Sequence, residues 1–380
     1  MDKRAVLAVI VVIAVVVVGV AGYVFTRGDS SDAIQYTKMD PSKQLDAIRE
    51  GAIDGGVLWE PYATAAEMSG DAEVVTWSDE FWNGHPCCVV AVDNKFAQKN
   101  QDAIIAFLAA QIKAWSWISE AIDANSPNHQ TLIDITKKHT GLTNDEEIVA
   151  SLEHMELTYK MNNDVTDGER GFDAWLEYYV DEFINLDLIK EKDLNAKGCN
   201  NSKEFIDKIV NGEYLAKAEA LGDNYSGLTE PVTMRIGQLG GDVHQLALVV
   251  SMSSAAGENG KSMLEQMNIN AVSNKVYAAG VDIMNAFAGG ELDIAYVGSP
   301  PVIQFSAKQS ELDVSIIACA NTNGSALIVK KGMFDENMSL EEKIKGLKGK
   351  VIGEPATGSI QHLMLLYLGD KYGVDVSAWN

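Results

Sequence analysis

Read from its start, the chain first shows an unbroken apolar run, Ala5 to Phe25, 21 residues of mostly Val, Ile and Ala without a charge. At about 1.5 Å per residue such a run spans a hydrocarbon layer of roughly 30 Å. Lys3 and Arg4 precede it, which predicts an N-in, C-out orientation. Residues 1–25 are therefore read as a membrane anchor or signal segment, and Gly19-Val20-Ala21 leaves cleavage open. Polar residues 26–33 form a tether. Beyond them the pattern turns mixed. Asp40-Pro41 opens a helix with Leu45, Ile48 and Ile53 at helical spacing, Gly56–Trp59 is a short apolar strand, and Pro61 opens another helix. Ala72–Trp77 and Cys87–Val92 read as strands, and Asn100–Ile122 as a long helix. The chain then reads as mainly helical to about Ala220.

Gly222–Pro231 is rich in turn formers and predicts a linker. After it, strands (Met234–Leu239, Asn274–Ala278, Asp293–Val297, Val314–Ala318, Ala326–Val329, Val351–Gly353) alternate with helical patterns at His244–Met252, Ala279–Ala288, Pro301–Ser306, Leu340–Leu347 and Ser359–Leu368. That alternation specifies an α/β fold with helices on both faces of a sheet.

Composition narrows the function classes. With 54 acidic against 30 basic residues the formal charge is -24, the wrong sign for a nucleic-acid partner. No HExxH, GxSxG, Walker A or GxGxxG motif is present, so neither a catalytic centre nor a cofactor is predicted. The six histidines are scattered and no metal-ligand spacing occurs. Cys87, Cys88, Cys199 and Cys319 carry no specified pairing. Cys87 and Cys88 are adjacent, and on a strand they would face opposite ways.

Candidate chemistry lies in three strand-to-helix loops, where free N–H groups and the helix dipole favour an anion. These are Gly240–Gln245, Gly298–Pro301 and Ala356–His362. In the last, Gly358 permits close backbone approach, and Thr357 or Ser359 can cap the helix or donate a hydroxyl.

The segments Asn285–Pro301, Asn323–Val329, Leu347–Gly353 and Gly358–His362, with Gly51–Tyr62 in the first half, resemble the nitrate/sulfonate/taurine-type substrate-binding proteins of ABC importers. The resemblance runs from about Ile34 onward. It implies a two-lobed type II periplasmic-binding-protein-like fold, a Venus flytrap that closes over a small solute and delivers it to a permease and its ATPase. The order differs from the family's: the segment ending Val374–Asn380 would there lead into Ile34–Met39, so the chain resembles a circular permutant. Residues 34–221 are expected to form the second lobe plus a helical region, 222–231 the permutation linker and 232–380 the first lobe. The new ends would sit at a strand between the lobes. A natural permutant, a rearranged gene and half of a swapped dimer are all open. The implied ligand residues are Gly241, Asp242, His244, Gln245, Ser299, Asn323, Gly324, Ser325, Thr357, Gly358, Ser359 and His362 from one lobe. Trp59, Glu60 and Tyr62 come from the other, with Glu60 expected at the start of the helix after Pro61. The location implied is the extracytoplasmic face of a membrane. Two alternatives stand beside this reading: a pyrimidine-synthase-like enzyme on the same fold, with Cys87-Cys88 near His85 as its only candidate centre, and a membrane-anchored ligand sensor.

Overall fold

The computed structural model describes residues 32–166, 169–222, 225–273 and 275–379. The expected anchor at residues 1–25 lies outside the described residues. Among those described, no helix is long and apolar enough to cross a membrane.

In chain order the strands are β1 (Ile34–Lys38), β2 (Gly55–Trp59), β3 (Ala72–Trp77), β4 (Cys88–Asp93), β5 (Met155–Leu157), β6 (Val232–Leu239), β7 (Ile269–Val272), β8 (Val276–Tyr277), β9 (Ile294–Gly298), β10 (Val314–Cys319), β11 (Asn321–Asn323), β12 (Ser325–Lys330), β13 (Val351–Glu354) and β14 (Val376–Ala378). One sheet has the order β14-β1-β13-β2-β12-β3, the other β10-β4-β9-β6-β7 with β8 also on β6. Strands β2, β4 and β10 are buried almost throughout. Covered sheets of this kind read as continuous apolar runs, which is why they are legible in the sequence.

Both sheets share one irregularity. In the first, β1, β13 and β2 run parallel while β12 is antiparallel to β2 and β3. In the second, β6, β7 and β9 run parallel while β4 is antiparallel to β9 and β10. Strand β4 follows the passage from the first sheet through residues 78–87, and β12 follows the passage back through residues 320–324. A chain arriving from the opposite lobe enters at the carboxyl edge of the parallel strands, so its first strand runs against them. The two passages also pair with each other: Cys87 N donates to Asn321 O (3.1 Å), Asn323 N to His85 O (3.0 Å), and Pro86 bridges Thr322. They form a two-stranded hinge between the lobes.

The lobes therefore divide the chain differently from the expected boundary at 222–231. Strands β12, β13 and β14 belong to the sheet of β1–β3, so residues 325–379 share a lobe with 34–77, and the other lobe comprises residues 88–319. The difference arises because β12 returns through the hinge, a turn of direction that apolar periodicity does not reveal. Both passages are continuous chain. The segments expected at the hinge instead lie within the first sheet, where β14 and β1 are parallel neighbours and Ile34 N donates to Asp375 O at 2.7 Å.

Several predicted helices form with their caps. Asp40 accepts from Ser42 N at the start of Pro41–Glu50, and Ser359 accepts from His362 N at the start of Ile360–Tyr372. The helix expected from Pro61 begins at Tyr62. The long helix Gln101–Ala121 is buried along Ile104, Leu108, Ala114 and Ile118 against the second lobe's core. Strands β5, β7 and β11 had no sequence expectation; each is four residues or fewer, too short for a clear alternation.

Candidate functional site

Between the two sheets, at the hinge, lies a cleft lined by Trp59, Cys87, Cys88, Leu239, Asp242 and His244, together with residues 279–280, Gly298, Pro301, Pro355 and 359–361. Carboxyl ends of the strands of both sheets contribute, the position where open α/β sheets offer a crevice. Its free volume is about 30 Å³, close to the share of one water molecule in the liquid.

The lobes meet across this cleft through His244. The loop after β6 turns at Gly241, whose φ of +69° suits glycine and whose added Cβ would stand 2.1 Å from the Tyr62 hydroxyl. Asp242 then caps the following turn, Oδ1 accepting from His244 N at 2.9 Å. This aims the His244 ring at the end of the return passage, where Nε2 lies 3.0 Å from Gly324 O. Gly324 has φ +86°, and a Cβ there would meet His244 Nε2 at 2.3 Å. Since a carbonyl only accepts, Nε2 carries the proton, and Nδ1 faces Cys87 Sγ at 3.5 Å and Asp242 Oδ1 at 3.3 Å.

The electrostatics follow from burial. Burial opposes a charge on His244, yet Asp242 and Cys87 together lift its pKa to about 9. A hydrogen bond from Cys88 and the neighbouring imidazolium bring Cys87 down to about 6, giving it thiolate character near neutral pH. The same bond, burial and Asp242 push Cys88 up. Burial, aided by His244, lowers His85 to about 3 and keeps it neutral. Burial raises Glu60 to about 8 against two hydrogen bonds from Thr64, N to Oε2 at 3.1 Å and Oγ1 to Oε1 at 2.6 Å. Glu60 thus sits at the start of the helix Tyr62–Met68, as expected. Burial and nearby carboxylates push Tyr62 up to about 12.

Of the residues singled out in the sequence, Trp59, Asp242, His244 and Ser359 line the cleft. Trp59 is 5% exposed, and its Nε1 has no hydrogen-bond partner. Gly241, Gly324 and Tyr62 pack immediately around this group, as described above. Gln245 braces the loop, accepting from Leu239 N and donating to Asp242 Oδ2. Gly358 lies against Gln304. Ser325 accepts from the Gln361 amide.

Others are not brought together there. The Ser299 hydroxyl donates to Pro86 O at 2.9 Å and its N–H to Cys87 O, while Pro300 and Pro301 have no N–H to give. That helix start is consequently poor in free donors. Asn323 turns outward in a left-handed conformation (φ 61°) and accepts from Gly84 N. Thr357 is exposed. His362 is buried behind the cleft, with Nδ1 against Glu354 Oε2 and its ring edge-on to Tyr36.

Cys87 and Cys88 are the lining residues that strand alternation misplaced. Strand β4 begins at Cys88, so Cys87 belongs to the hinge passage and is free of the alternation; both thiols reach the cleft. The adjacency of His85, Pro86 and the two cysteines was the available signal. All four cysteines are buried and free. Of the apolar lining, Pro301 and Ile360 lie in loops already picked out, whereas Leu239 and Pro355 carried no sequence signal, because buried apolar residues are ordinary core.

With this geometry in view, residues 22–135 match the model of the NMT1-like family, a segment that includes both the Gly51–Tyr62 stretch and Cys87-Cys88. The "Putative aliphatic sulfonates-binding protein" of Bacillus subtilis (strain 168) is 25% identical over 101 residues, 27% of this chain and 30% of that protein. The nitrate import ATP-binding protein NrtC of Synechococcus elongatus is 30% identical over 81 residues, 21% of this chain and 12% of that protein. The chain spans less than a third of the length of these curated relatives. Among solved structures, the PBP AgaA from A. tumefaciens R10 in complex with agropinic acid matches 82% of this chain and 58% of its own, at 11% identity and a TM-score of 0.32. The resemblance to nitrate- and sulfonate-type substrate-binding proteins is borne out by these sequence matches.

Proposed function

We propose that this chain is the extracytoplasmic solute-binding component of an ABC-type importer, which closes its two lobes on a small solute and presents it to a permease and ATPase. The observation that carries the reading is the cleft between the two sheets, whose wall includes Trp59, a residue with its Nε1 buried and without a partner. A buried unpaired N–H costs about 1–3 kcal/mol, and a solute acceptor would recover that cost. Residues 360 and 361 open a 13-residue helix beside it, where the first N–H groups have no intrahelical acceptor. Both features favour an acceptor-bearing or anionic solute, in keeping with the sulfonate- and nitrate-type relatives. Hinge closure around a ligand is an established motion, and paired passages suit it.

The apolar run Ala5–Phe25 supports an anchor that leaves the body outside the membrane. The adjacency of β14 and β1 in one sheet supports a permuted order, with Val374–Asn380 and Ile34–Met39 as parts of what is one segment in the family.

A thermal-shift screen of the purified chain against sulfonates, taurine, nitrate and bicarbonate tests the function. A solute at 100 times its Kd should stabilise by about 2.7 kcal/mol. Absence of any shift across the panel would count against the reading.

A further inference from the structure

The cleft wall contains a ligand set that solute binding alone does not use. Cys87 Sγ, Cys88 Sγ and His244 Nδ1 lie within 4.8 Å of one another, all buried. We propose that these three atoms bind a thiophilic divalent cation of the zinc type at the hinge.

Zinc at about 2.3 Å from sulfur and 2.0–2.1 Å from nitrogen places tetrahedral ligand atoms about 3.6–3.8 Å apart. Cys87 Sγ and His244 Nδ1 already stand at 3.5 Å. The remaining pairs need to close by no more than about 1 Å. The imidazole is set up as a ligand: Nε2 is held by Gly324 O at 3.0 Å, which leaves Nδ1 turned to the two sulfurs. A ligating histidine ordinarily donates its other N–H to a carbonyl or carboxylate in this way. Asp242 adds negative charge, Oδ2 at 3.7 Å from Cys88 Sγ and Oδ1 at 3.3 Å from His244 Nδ1. Two sulfurs and one nitrogen select a soft or borderline ion over magnesium or calcium. Binding requires deprotonated sulfurs and an unprotonated Nδ1, so any protons these atoms carry are released to solvent.

Three protein ligands leave a fourth tetrahedral position in the cleft. Among the described residues no Lys or Arg lines that cleft, so the ion is the cationic partner that an anionic solute would meet. This last role rests on the proposed solute-binding function; metal binding itself does not.

The test is titration of the reduced, metal-free full chain with zinc against a chromophoric chelator, and with cobalt to read a thiolate-to-metal charge-transfer band. The expected result is one ion per chain and a cobalt–thiolate band. Loss of one ligand, in Cys87→Ser or Cys88→Ser, should weaken zinc binding more than about 100-fold, beyond the 10–100-fold typical of outer-shell changes. Cys199→Ser should bind as wild type. The cobalt band on wild type requires no variant to fold. No zinc binding, no cobalt–thiolate band, or binding that survives in Cys87→Ser and Cys88→Ser would overturn the proposal. If a panel solute binds the metal-free chain while zinc does not bind, only the metal site falls. If zinc binds and no solute does, the solute-binding reading fails and the metal site stands.

Discussion

His244 Nε2 lies 3.0 Å from the carbonyl oxygen of Gly324 and joins the two lobes at the hinge. The contact depends on both ends being bare: Gly324 has φ +86° and leaves no room for a Cβ beside the ring. Gly324→Ala is expected to destabilise the chain by about 1–3 kcal/mol, from left-handed strain alone, with the clash adding to it. Urea unfolding monitored by circular dichroism reads this as a lower midpoint with little change in slope.

Glu60 gives a pH signature. Its pKa is raised from the ordinary 4.5 to about 8 in the folded chain by burial. The folded state therefore holds a proton that the unfolded state releases between those values. The stability contribution is fully present below pH 4.5 and is lost as pH rises through 8, at up to about 1.4 kcal/mol per pH unit. In Glu60→Gln this component of the slope disappears, and denaturation midpoints compared at pH 5, 6 and 7 read the difference. Parallel pH profiles for the two proteins would argue against a protonated Glu60.

Asp293 ties β9 to β6. Its carboxylate accepts from Arg235 N (2.7 Å), Nε (3.0 Å) and Nη2 (2.5 Å), and the side chain is largely buried. Asp293→Ala leaves the Arg235 backbone N–H and guanidinium short of partners. Hydrogen bonds to charged groups contribute about 1.5–3 kcal/mol, and Arg235 is about half exposed, so a loss near the lower end is expected in thermal unfolding. Lys at position 235 would recover only part of the wild-type stability, because an ammonium lacks the planar fork.

Elements with strong local signals were legible in the sequence. Val314–Ala318, broken only by Ser315, and the apolar runs Ala326–Val329 and Val351–Gly353 form buried strands; Asp40-Pro41 and Ser359 mark helix starts that the structure caps as expected. The lobe assignment of residues 325–379 was not legible, because it depends on β12 passing back through the hinge beside residues 78–87, a long-range pairing with no local signature. At the site, Asp242, His244 and Ser359 could be picked out from loop position, and Trp59, a strand residue, from the family resemblance. Ser299 and Asn323 could not be judged, since their side chains are engaged by Pro86 and Gly84, residues distant in sequence. The two thiols were misplaced because strand alternation was applied one residue too early.

Capture of a solute in the hinge cleft is tested by calorimetric titration of wild type and Trp59→Phe with whichever panel solute stabilises the chain. Phenylalanine keeps an aromatic face in the wall while removing the Nε1 donor, and its side chain is smaller by three heavy atoms. A hydrogen bond to a charged acceptor contributes about 1.5–3 kcal/mol, so affinity should fall by at least about tenfold; the smaller ring also leaves a void that lowers stability, so both proteins are titrated well below the unfolding temperature of the variant. Equal affinity in the two proteins would contradict the account and place the solute elsewhere.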